Sequence, residues 1–252
     1  MNIGNPSGTA LAILQARMTS TRLPGKSLTP IAGKPMLDYC IAGLRRSRRI
    51  GTVVVATSEQ TADDPIVEAA LRLGVESHRG SVHDVLDRFR GAAERFEGDP
   101  IVRLTADCPL MDGAVIDRVI ARLLEGGFDY VSTGASKTFP RGLDVEAFTR
   151  AAFERAVAES TEPYQHEHVT PYLYELPGRF KLDAVSHDED LSSWRLTVDT
   201  PEDLRVIRSV IEGLLEQGEP IEFSAVVRFV KRHLEILDVN RHVRQKSFKE
   251  VE

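Results

Sequence analysis

The chain has 252 residues, 42% of them apolar and 28% charged, and its 32 Lys and Arg against 38 Asp and Glu give a formal net charge of −6. This composition is typical of a globular protein and excludes a disordered chain, a collagen-like fibre and a disulfide-stapled miniprotein. The acidic balance argues against general nucleic-acid binding, which needs a basic field, although a local cluster of cations could still bind a small anion.

Cysteine usage and the absence of targeting signals predict the compartment. Cys40 and Cys108 are too few for a disulfide framework and badly spaced for zinc, so both are expected to be reduced thiols. The first nine residues lack the basic start and apolar segment of a secretion signal, and no apolar run approaches membrane-spanning length. We therefore expect a soluble, cytoplasmic protein that does not bind membranes.

Strand-like and helix-like segments alternate along the first half of the chain. Short apolar or β-rich runs predict strands at 10–15, 52–56, 75–78, 101–104 and 128–131. Helical spacing of apolar residues predicts intervening helices from Asp64, over 82–96 and around 115–123. This order predicts a mostly parallel sheet with helices on both faces, and ligands of such sheets bind outside the carboxyl ends of the strands.

The second half of the chain is less regular. Aromatic residues and turn signals are frequent over 132–190, where one helix is predicted near 150–159. A further strand is predicted at 194–198 from its apolar residues. This irregularity makes the architecture of the region harder to predict than that of the first half.

The last part of the chain is predicted to be helical. Residues 200–203, Thr-Pro-Glu-Asp, predict a helix start, because a Thr N-cap, a Pro at the first helical position and an acid at the third suit the free amides. A last amphipathic helix is predicted over 223–237, followed by a polar tail at 241–252. No linker is evident, so one domain is expected over 1–252.

A loop rich in cations directly follows the first predicted strand. Residues 15–26 contain Arg17, Arg22 and Lys26 together with three hydroxyl residues, a Pro and a Gly. Small residues leave backbone amides accessible and cations neutralise charge, so such a loop can bind a polyphosphate. It is not a Walker A loop, because its glycine and lysine lack that spacing. A solvated basic loop is the alternative interpretation.

Two carboxylates stand where predicted strands end. Asp107 follows the strand at 101–104, and Asp199 follows the strand at 194–198. Mg²⁺ prefers one or two carboxylates together with substrate phosphates and water. With the cationic loop, the two acids would make a site for a nucleoside triphosphate and its metal. The alternatives are a helix-capping role for Asp199 and a turn role for Asp107.

Three other features also allow specific chemistry. Arg141, which stands between a proline and a glycine, could clamp an anion or pair with an acid such as Asp144 in a structural turn. His166 and His168 would share one face of a strand, but no third ligand is evident and zinc is not expected. Cys108 has no histidine nearby in sequence and is expected to be a packed thiol.

Several of these segments together resemble the cytidylyltransferase family, which includes 3-deoxy-manno-octulosonate, acylneuraminate and spore-coat polysaccharide enzymes. The similar segments are 16–26, 55–57, 107–110, 140–146, 167–172 and 196–204. Segments 107–110 and 140–146 are most similar to the spore-coat branch. The octulosonate branch instead carries Gly-Asp-Glu-Pro at the first of these two, which argues against that acceptor.

The resemblance implies an α/β fold: a three-layer αβα nucleotidyltransferase, Rossmann-like, with a mostly parallel sheet. It also implies the use of CTP and Mg²⁺, release of pyrophosphate, and a homodimer. We expect a small arm at 139–185 to contact the partner subunit and the acceptor. The expected reaction transfers CMP to an acidic sugar or related acceptor for surface polysaccharide or glycoconjugate synthesis.

Other activities remain open at this point. The site could serve a nucleotidyltransferase for a sugar-phosphate or phosphonate acceptor. A glycosyltransferase that uses nucleotide sugars is a second alternative, although Asp107 lacks the Asp-x-Asp pattern common in such enzymes. A catalytically silent nucleotide-binding subunit is a third alternative, disfavoured because both carboxylates and all three loop cations are present.

The resemblance also suggests roles for individual residues. The expected nucleotide-binding residues are Ala16, Arg17, Ser20, Arg22, Gly25, Lys26, Thr57 and Thr105, the two threonines being near the base and ribose. The expected catalytic residues are Arg17, Lys26, Asp107 and Asp199. Asp107 and Asp199 would hold Mg²⁺, and Arg141 and His168 would bind the acceptor.

Overall fold

Residues 9–245, the part of the chain that this computed structural model describes, fold around a seven-stranded mixed sheet. In chain order the strands are β1 (Ala10–Gln15), β2 (Pro30–Ile31), β3 (Lys34–Pro35), β4 (Ile50–Ser58), β5 (Glu76–Gly80), β6 (Ile101–Thr105), β7 (Tyr130–Ser132), β8 (Glu146–Phe148) and β9 (Leu182–Ala184). The α-helices are α1 (Met36–Arg45), α2 (Asp64–Leu73), α3 (Val85–Arg95), α4 (Gly113–Gly126), α5 (Arg150–Glu159), α6 (Pro163–His168), α7 (Pro171–Tyr174), α8 (Pro201–Glu216) and α9 (Phe223–Arg232).

The main sheet has the strand order β5-β4-β1-β6-β8-β7-β9, and β2 and β3 form a separate ribbon. Strands β5, β4, β1 and β6 are parallel, whereas β8 runs antiparallel to both of its neighbours. Strand β1 is apolar throughout its buried length because a parallel sheet is covered on both faces. Its residues alternate between two cores, with Ala12 and Leu14 on one face and Leu11 and Ile13 on the other.

Helices cover both faces of the sheet. One core contains Ile41 of α1, Val119 of α4 and Ile211 of α8, and the other contains Phe89 of α3 and Phe153 of α5. Burial of these apolar faces is the main source of stability in such a layered domain. The predicted α/β fold with a mostly parallel sheet between helices is confirmed.

Predicted elements of the first half are present with small shifts in their bounds. The predicted strand at 52–56 extends in both directions to form β4, and those at 75–78 and 128–131 begin one or two residues later as β5 and β7. Helix α3 begins at Val85 because the Asp84 side chain accepts the Asp87 N–H and caps it. The pattern of apolar and polar residues therefore predicts where an element lies more accurately than where it begins and ends.

The helix start at 200–203 is confirmed. Thr200 and Asp203 form a capping box in which each side chain accepts the other residue's backbone N–H. The predicted helix at 150–159 corresponds to α5. The last helix ends earlier than predicted, at Arg232, and a 3₁₀ turn at Leu234–Val239 follows it.

The strand predicted at 194–198 is wrong. This segment makes only an isolated parallel bridge between Arg141 and Arg195, where it runs beside a loop. Its apolar residues are buried against the core even though no sheet strand adjoins them. Apolar pattern alone could not distinguish the two situations, because a buried extended segment and a buried strand share it.

The strand assumed for His166 and His168 is also wrong, because both residues lie in helix α6. Pro163 occupies the first helical turn, and Glu162 and Gln165 form a capping box. These helix-start signals outweigh the alternation of His-Glu-His, which by itself would indicate a strand. The strands β8 and β9 and the helices α1 and α7 were not predicted.

Two sequence expectations concern segments outside the described residues. The absence of a secretion signal concerns mainly residues 1–8, and the end of the polar tail concerns residues 246–252. Within the described range, none of the helices combines the length and apolar character that crossing a membrane requires. Residues 241–245 return toward the main cleft, where Gln245 contacts Arg195.

Candidate active site

A cleft of about 1110 Å³ lies at the carboxyl ends of the parallel strands. Its lining comes partly from the loops that follow β1, β5 and β6, and partly from segments between β7 and α7. Open α/β sheets bind ligands at this edge because successive connections diverge there and leave a crevice. The cleft thus lies where the predicted fold class locates a ligand site.

Lys26 lines the cleft and joins the two predicted carboxylates. Its Nζ donates to Asp107 Oδ2 at 3.1 Å, to Asp199 Oδ1 at 2.9 Å and to the Val198 carbonyl at 2.8 Å. These three acceptors use all three ammonium protons. Burial opposes the charged form, but Asp107 and Asp199 outweigh it and raise the pKa of Lys26.

Asp107 is held as a carboxylate by the turn after β6. Its Oδ1 accepts the Thr105 hydroxyl at 2.6 Å, while Oδ2 faces Lys26. Burial would raise the pKa of Asp107, but Lys26 and the hydrogen bond from Thr105 lower it to about 2. Neighbouring Cys108 is a buried free thiol with a raised pKa, caused mainly by burial, so it is a poor nucleophile at neutral pH.

Asp199 is surrounded by three cations. Its carboxylate lies 2.9 Å from Lys26 Nζ, 3.1 Å from Arg22 Nη2 and 2.8 Å from Arg195 Nη2. Only 12% of its side chain is exposed. Interaction with a charge of opposite sign is strong in such a partly desolvated place. Asp199 therefore holds these three cations near the cleft.

The cationic loop is shaped by a residue that the sequence reasoning missed. Asp63, which is fully buried, accepts the Met18 N–H at 2.7 Å and so ties the loop to the end of β4. The Gly25 N–H donates to the Met18 carbonyl at 2.8 Å, and Gly25 has a left-handed φ of 74°. That turn starts the short 3₁₀ helix whose first residue is Lys26.

The predicted loop residues differ in their relation to the cleft. Ala16, Arg17, Ser20, Arg22 and Lys26 line it. Gly25 acts through the turn that orients Lys26.

The two predicted threonines have different locations. Thr105 lines the cleft, whereas Thr57 is fully buried within β4 and does not line it. Strand β4 continues to Ser58 through its pairing with β5, so its carboxyl end lies beyond Thr57. Residues 81–85, at the start of α3, line that side of the cleft instead. The structure therefore places Thr57 away from the cleft lining, and its contact with the nucleotide stays a prediction.

Arg141 lines the opposite side of the cleft. Its N–H donates to the Trp194 carbonyl at 3.0 Å, and its carbonyl accepts the Leu196 N–H at 2.7 Å. Gly142 has a φ of 104°, and a Cβ there would lie 2.2 Å from the Leu196 carbonyl oxygen. The close approach of these two segments consequently requires glycine. Asp144 accepts the Gly142 N–H at 2.9 Å and so stabilises the turn.

A buried polar cluster forms the far wall of the cleft. Glu146 Oε1 accepts the Tyr130 hydroxyl at 2.6 Å and the Thr170 hydroxyl at 2.7 Å, while Oε2 forms an ion pair with Arg103. Arg103 and Glu146 are directly opposite each other in the antiparallel β6–β8 pair. The sequence offered no signal for this contact, because it depends on a strand pairing that was not predicted.

The two predicted histidines also lie at the cleft. His168 lines it from the end of α6. His166 lies 2.9 Å from Asp84, the cap of α3, and so connects α6 to the loop at 81–85. The His168 carbonyl lies 3.4 Å from the Thr170 hydroxyl, which also donates to Glu146.

The donor set suits a hard cation. Asp107 and Asp199 both approach the same Lys26 nitrogen, and within residues 9–245 no group of three His, Cys, Asp or Glu side chains could hold a metal by itself. Mg²⁺ commonly uses one or two carboxylates and takes its other ligands from phosphates and water. The pair therefore fits a metal that arrives with a phosphorylated substrate.

Comparison with known proteins gives a consistent result. Residues 11–240 match the family model described as cytidylyltransferase. The chain is 38% identical to the uncharacterized protein MJ1063 of Methanocaldococcus jannaschii, over 96% of this chain and 98% of that protein. It is 32% identical to the spore coat polysaccharide biosynthesis protein SpsF of Bacillus subtilis, over 88% of this chain and 94% of that protein. A solved cytidylyltransferase from Leptospira borgpetersenii superposes with a TM-score of 0.86 at 33% identity, over 95% of this chain and 99% of that one.

Proposed function

The chain belongs to the cytidylyltransferase family, and we propose that it transfers CMP from CTP to an acidic sugar or related acceptor, releasing pyrophosphate. The convergence of Lys26, Asp107 and Asp199 beside a cationic loop is the observation that carries this proposal. A loop of this kind neutralises phosphates, and the cleft is large enough for two substrates. Product use in surface polysaccharide or glycoconjugate synthesis is part of the same proposal.

The order of strands supports opposite locations for the two substrates. The loop after β1 lies between the β5 side of the cleft, which includes residues 81–85, and the β8 side, which includes Glu146. Displacement at the α-phosphorus is in line, so the acceptor oxygen must approach from the side opposite the pyrophosphate leaving group, while the nucleoside stays bonded to the phosphorus. We assign the nucleoside to the side of residues 81–85 and the acceptor to the side of Glu146, because these two walls flank the loop after β1.

The chain's own residues would act mainly by electrostatics. An acceptor oxygen attacks the α-phosphorus, the bond to the bridging oxygen breaks, and pyrophosphate carries away the electron pair. Arg17 and Arg22 would bind phosphate oxygens on which negative charge accumulates. Lys26, whose three protons are donated to Asp107, Asp199 and the Val198 carbonyl, would act on those oxygens through its positive charge, already fixed in position before the substrate binds.

Asp107 and Asp199 would hold Mg²⁺ together with the phosphates. Bound there, the metal would neutralise phosphate charge and orient the triphosphate. The low pKa of Asp107, about 2, keeps this carboxylate ionised at neutral pH. Thr105 restrains Asp107 through its 2.6 Å hydrogen bond, so the donor oxygen has a defined direction.

Arg141 and His168 would recognise the acceptor's anionic group, and the Glu146 cluster would face its uncharged polar groups. Both Arg141 and His168 line the cleft on the β8 side. Arg141 is exposed, so its charge is accessible, whereas Arg103 is already paired with Glu146. This arrangement favours an acceptor that carries an acid at one end and hydroxyl groups elsewhere.

The remaining expectations are part of the proposal. We propose Mg²⁺ as the working metal, a homodimer contacted through the arm at 139–185, and a cytoplasmic location. We also retain a single domain over 1–252. Equilibrium sedimentation of the full chain would test the homodimer, with a monomer mass at micromolar concentration as the contrary result.

The activity can be tested by pyrophosphate release. The four nucleoside triphosphates are combined, in the presence of MgCl₂, with a panel of acidic sugars, sugar phosphates and phosphonates. We expect turnover with CTP and an acidic sugar, and a severely reduced turnover in the Asp107→Asn variant. Turnover confined to another triphosphate and a sugar phosphate would contradict the proposal, as would the absence of turnover with every pair.

A further inference from the structure

Arg195 links Asp199 to a second, more deeply buried acid, Asp203. Arg195 Nη2 lies 2.8 Å from Asp199 Oδ2, and the same guanidinium donates to Asp203 Oδ1 at 2.8 Å and to Asp203 Oδ2 at 2.9 Å. Asp203 is fully buried, and 11% of the Arg195 side chain is exposed. The planar guanidinium therefore spans two carboxylates and fixes their relative positions.

Asp203 does more than cap helix α8. A capping box requires only its contacts with Thr200, yet Asp203 Oδ2 also accepts the backbone N–H of Asp199 at 3.0 Å. Burial opposes its charge, but hydrogen bonds from Arg195 and Asn240 lower the pKa of Asp203 below its ordinary value. Both the backbone and the side chain of Asp199 are thus tied to Asp203.

The other support comes from the far end of the described chain. Asn240 is 2% exposed, and its Nδ2 donates to Asp203 Oδ1 at 2.9 Å and to the Arg195 carbonyl at 3.0 Å. Gln245 Oε1 accepts from Arg195 Nη1 at 2.8 Å, and Gln245 lines the cleft. Asn240 and Gln245 therefore hold Arg195 at its carbonyl and at Nη1, whereas its Nη2 contacts Asp199.

We propose that Arg195, Asp203 and Asn240 are positioning residues that hold the Asp199 carboxylate against Lys26. Three cations surround Asp199, and without a restraint its side chain could rotate among them. A small displacement of a catalytic group is costly, because the reacting groups must be aligned before the barrier is crossed. The predicted effect on turnover depends on the proposed function, whereas the predicted geometry does not.

The kinetic test compares two replacements of Asn240. Asn240→Ala removes both donated hydrogen bonds, and Asn240→Asp keeps the shape but brings a carboxylate toward Asp203. We expect kcat to fall by about 10-fold to 100-fold, as when partners behind a ligand are removed, with the KM for CTP nearly unchanged. The loss should be greater for Asn240→Asp. If Asn240 only filled space, the isosteric Asp variant would be the milder one, and that order would overturn the proposal.

Two control variants separate positioning from stability. Thr200→Ala removes the other half of the capping box, so it should lower Tm while turnover per folded molecule is retained. Arg241→Ala changes an exposed neighbour paired with Asp238 and should alter neither quantity. Arg195→Lys is a second probe, because lysine keeps the charge but cannot span both carboxylates, and it should reproduce the fall in kcat.

A spectroscopic measurement tests the geometry without any substrate. With ¹⁵N-labelled lysine, the Lys26 ammonium should give a slowly exchanging NMR signal because three acceptors hold it. We expect Asn240→Asp and Arg195→Lys to broaden or shift that signal, and Thr200→Ala and Arg241→Ala to leave it unchanged. An unaltered signal in both positioning variants would overturn the inference. An inactive wild-type enzyme would instead contradict the proposed function alone.

Discussion

The two sides of the sheet contribute to the cleft in different ways. On the side of β5, β4, β1 and β6, polar residues meet because parallel strands end at one edge, as Lys26 and Asp107 do. On the side of β8, β7 and β9, an antiparallel strand and a non-strand segment bring distant residues together. Arg103 meets Glu146 across 43 positions, and Asp199 reaches Lys26 across 173.

The difference suggests a division of labour. Under the proposed function, the parallel side and Asp199 form an ionic centre that serves the phosphates whichever acceptor is used. The antiparallel side would then contact the acceptor through Arg141, His168 and the Glu146 cluster, and could vary with it without altering that centre. Fold families commonly keep such a shared scaffold and change specificity through loops. Variants on the two sides should therefore affect different kinetic constants.

The largest effect should follow loss of a central carboxylate. Asp107→Asn and Asp199→Asn should each lower kcat by roughly 100-fold to 1000-fold, the scale seen when one preorganised electrostatic contact is removed. The loss should be the same for every acceptor, and circular dichroism should show an intact fold. Near-normal turnover in either variant would remove that residue from the shared centre.

The next largest effect should appear in the Glu146 cluster. Glu146→Gln leaves the buried Arg103 charge uncompensated, and breaking such a pair costs about 3 kcal/mol of unfolding free energy. It should also raise the acceptor KM more than the CTP KM. Glu94→Gln, which breaks an exposed pair with Arg90, is the matched control and should change stability by less than about 0.5 kcal/mol. Equal losses in both variants would contradict the burial argument.

A smaller effect concerns the acid stability of the ionic centre. The folded pKa of Asp107, about 2, lies below its ordinary value of 3.8, so its stabilisation is complete above pH 3.8 and is lost as pH falls through 2. The shift corresponds to about 2 kcal/mol. In Lys26→Met the folded pKa should rise toward or above 3.8, so the stability lost between pH 3.8 and 2 should shrink or reverse its sign. Urea unfolding of the wild type and of Lys26→Met between pH 2 and 6 measures this pH dependence. Identical profiles for the two proteins would contradict the assignment of the low Asp107 pKa to Lys26.

The smallest effect should separate the two substrates. Arg141→Ala removes a charge from the acceptor side and should raise the acceptor KM by about 10-fold, the equivalent of one charged hydrogen bond. The CTP KM should change little, because Arg141 belongs to the wall that the proposal assigns to the acceptor. Lys137→Ala removes a second cation that lines the cleft, and its effect on the two KM values can be compared with that of Arg141→Ala. A larger change in the CTP KM would mean that Arg141 serves the nucleotide.

Sequence reasoning was most successful where chemistry was local. The loop at 15–26, the acid after β6 and the helix start at 200–203 were all identified from neighbouring residues. It could not locate the end of β4, and with it the burial of Thr57, because the extent of that strand depends on its pairing with β5. It also failed for His166 and His168. Their alternate spacing was taken to indicate a strand, although Pro163 and the capping box are stronger signals of a helix.

The residue pattern by itself determined the layered α/β fold, because buried parallel strands must be apolar on both faces and amphipathic helices must cover them. It also determined that a cationic loop follows β1. Only the tertiary structure decided that Lys26 stands between Asp107 and Asp199, that Asp63 shapes the loop, and that residues 240–245 support Arg195. Those contacts join residues far apart in the chain, and periodicity carries no information about which distant groups will pack together.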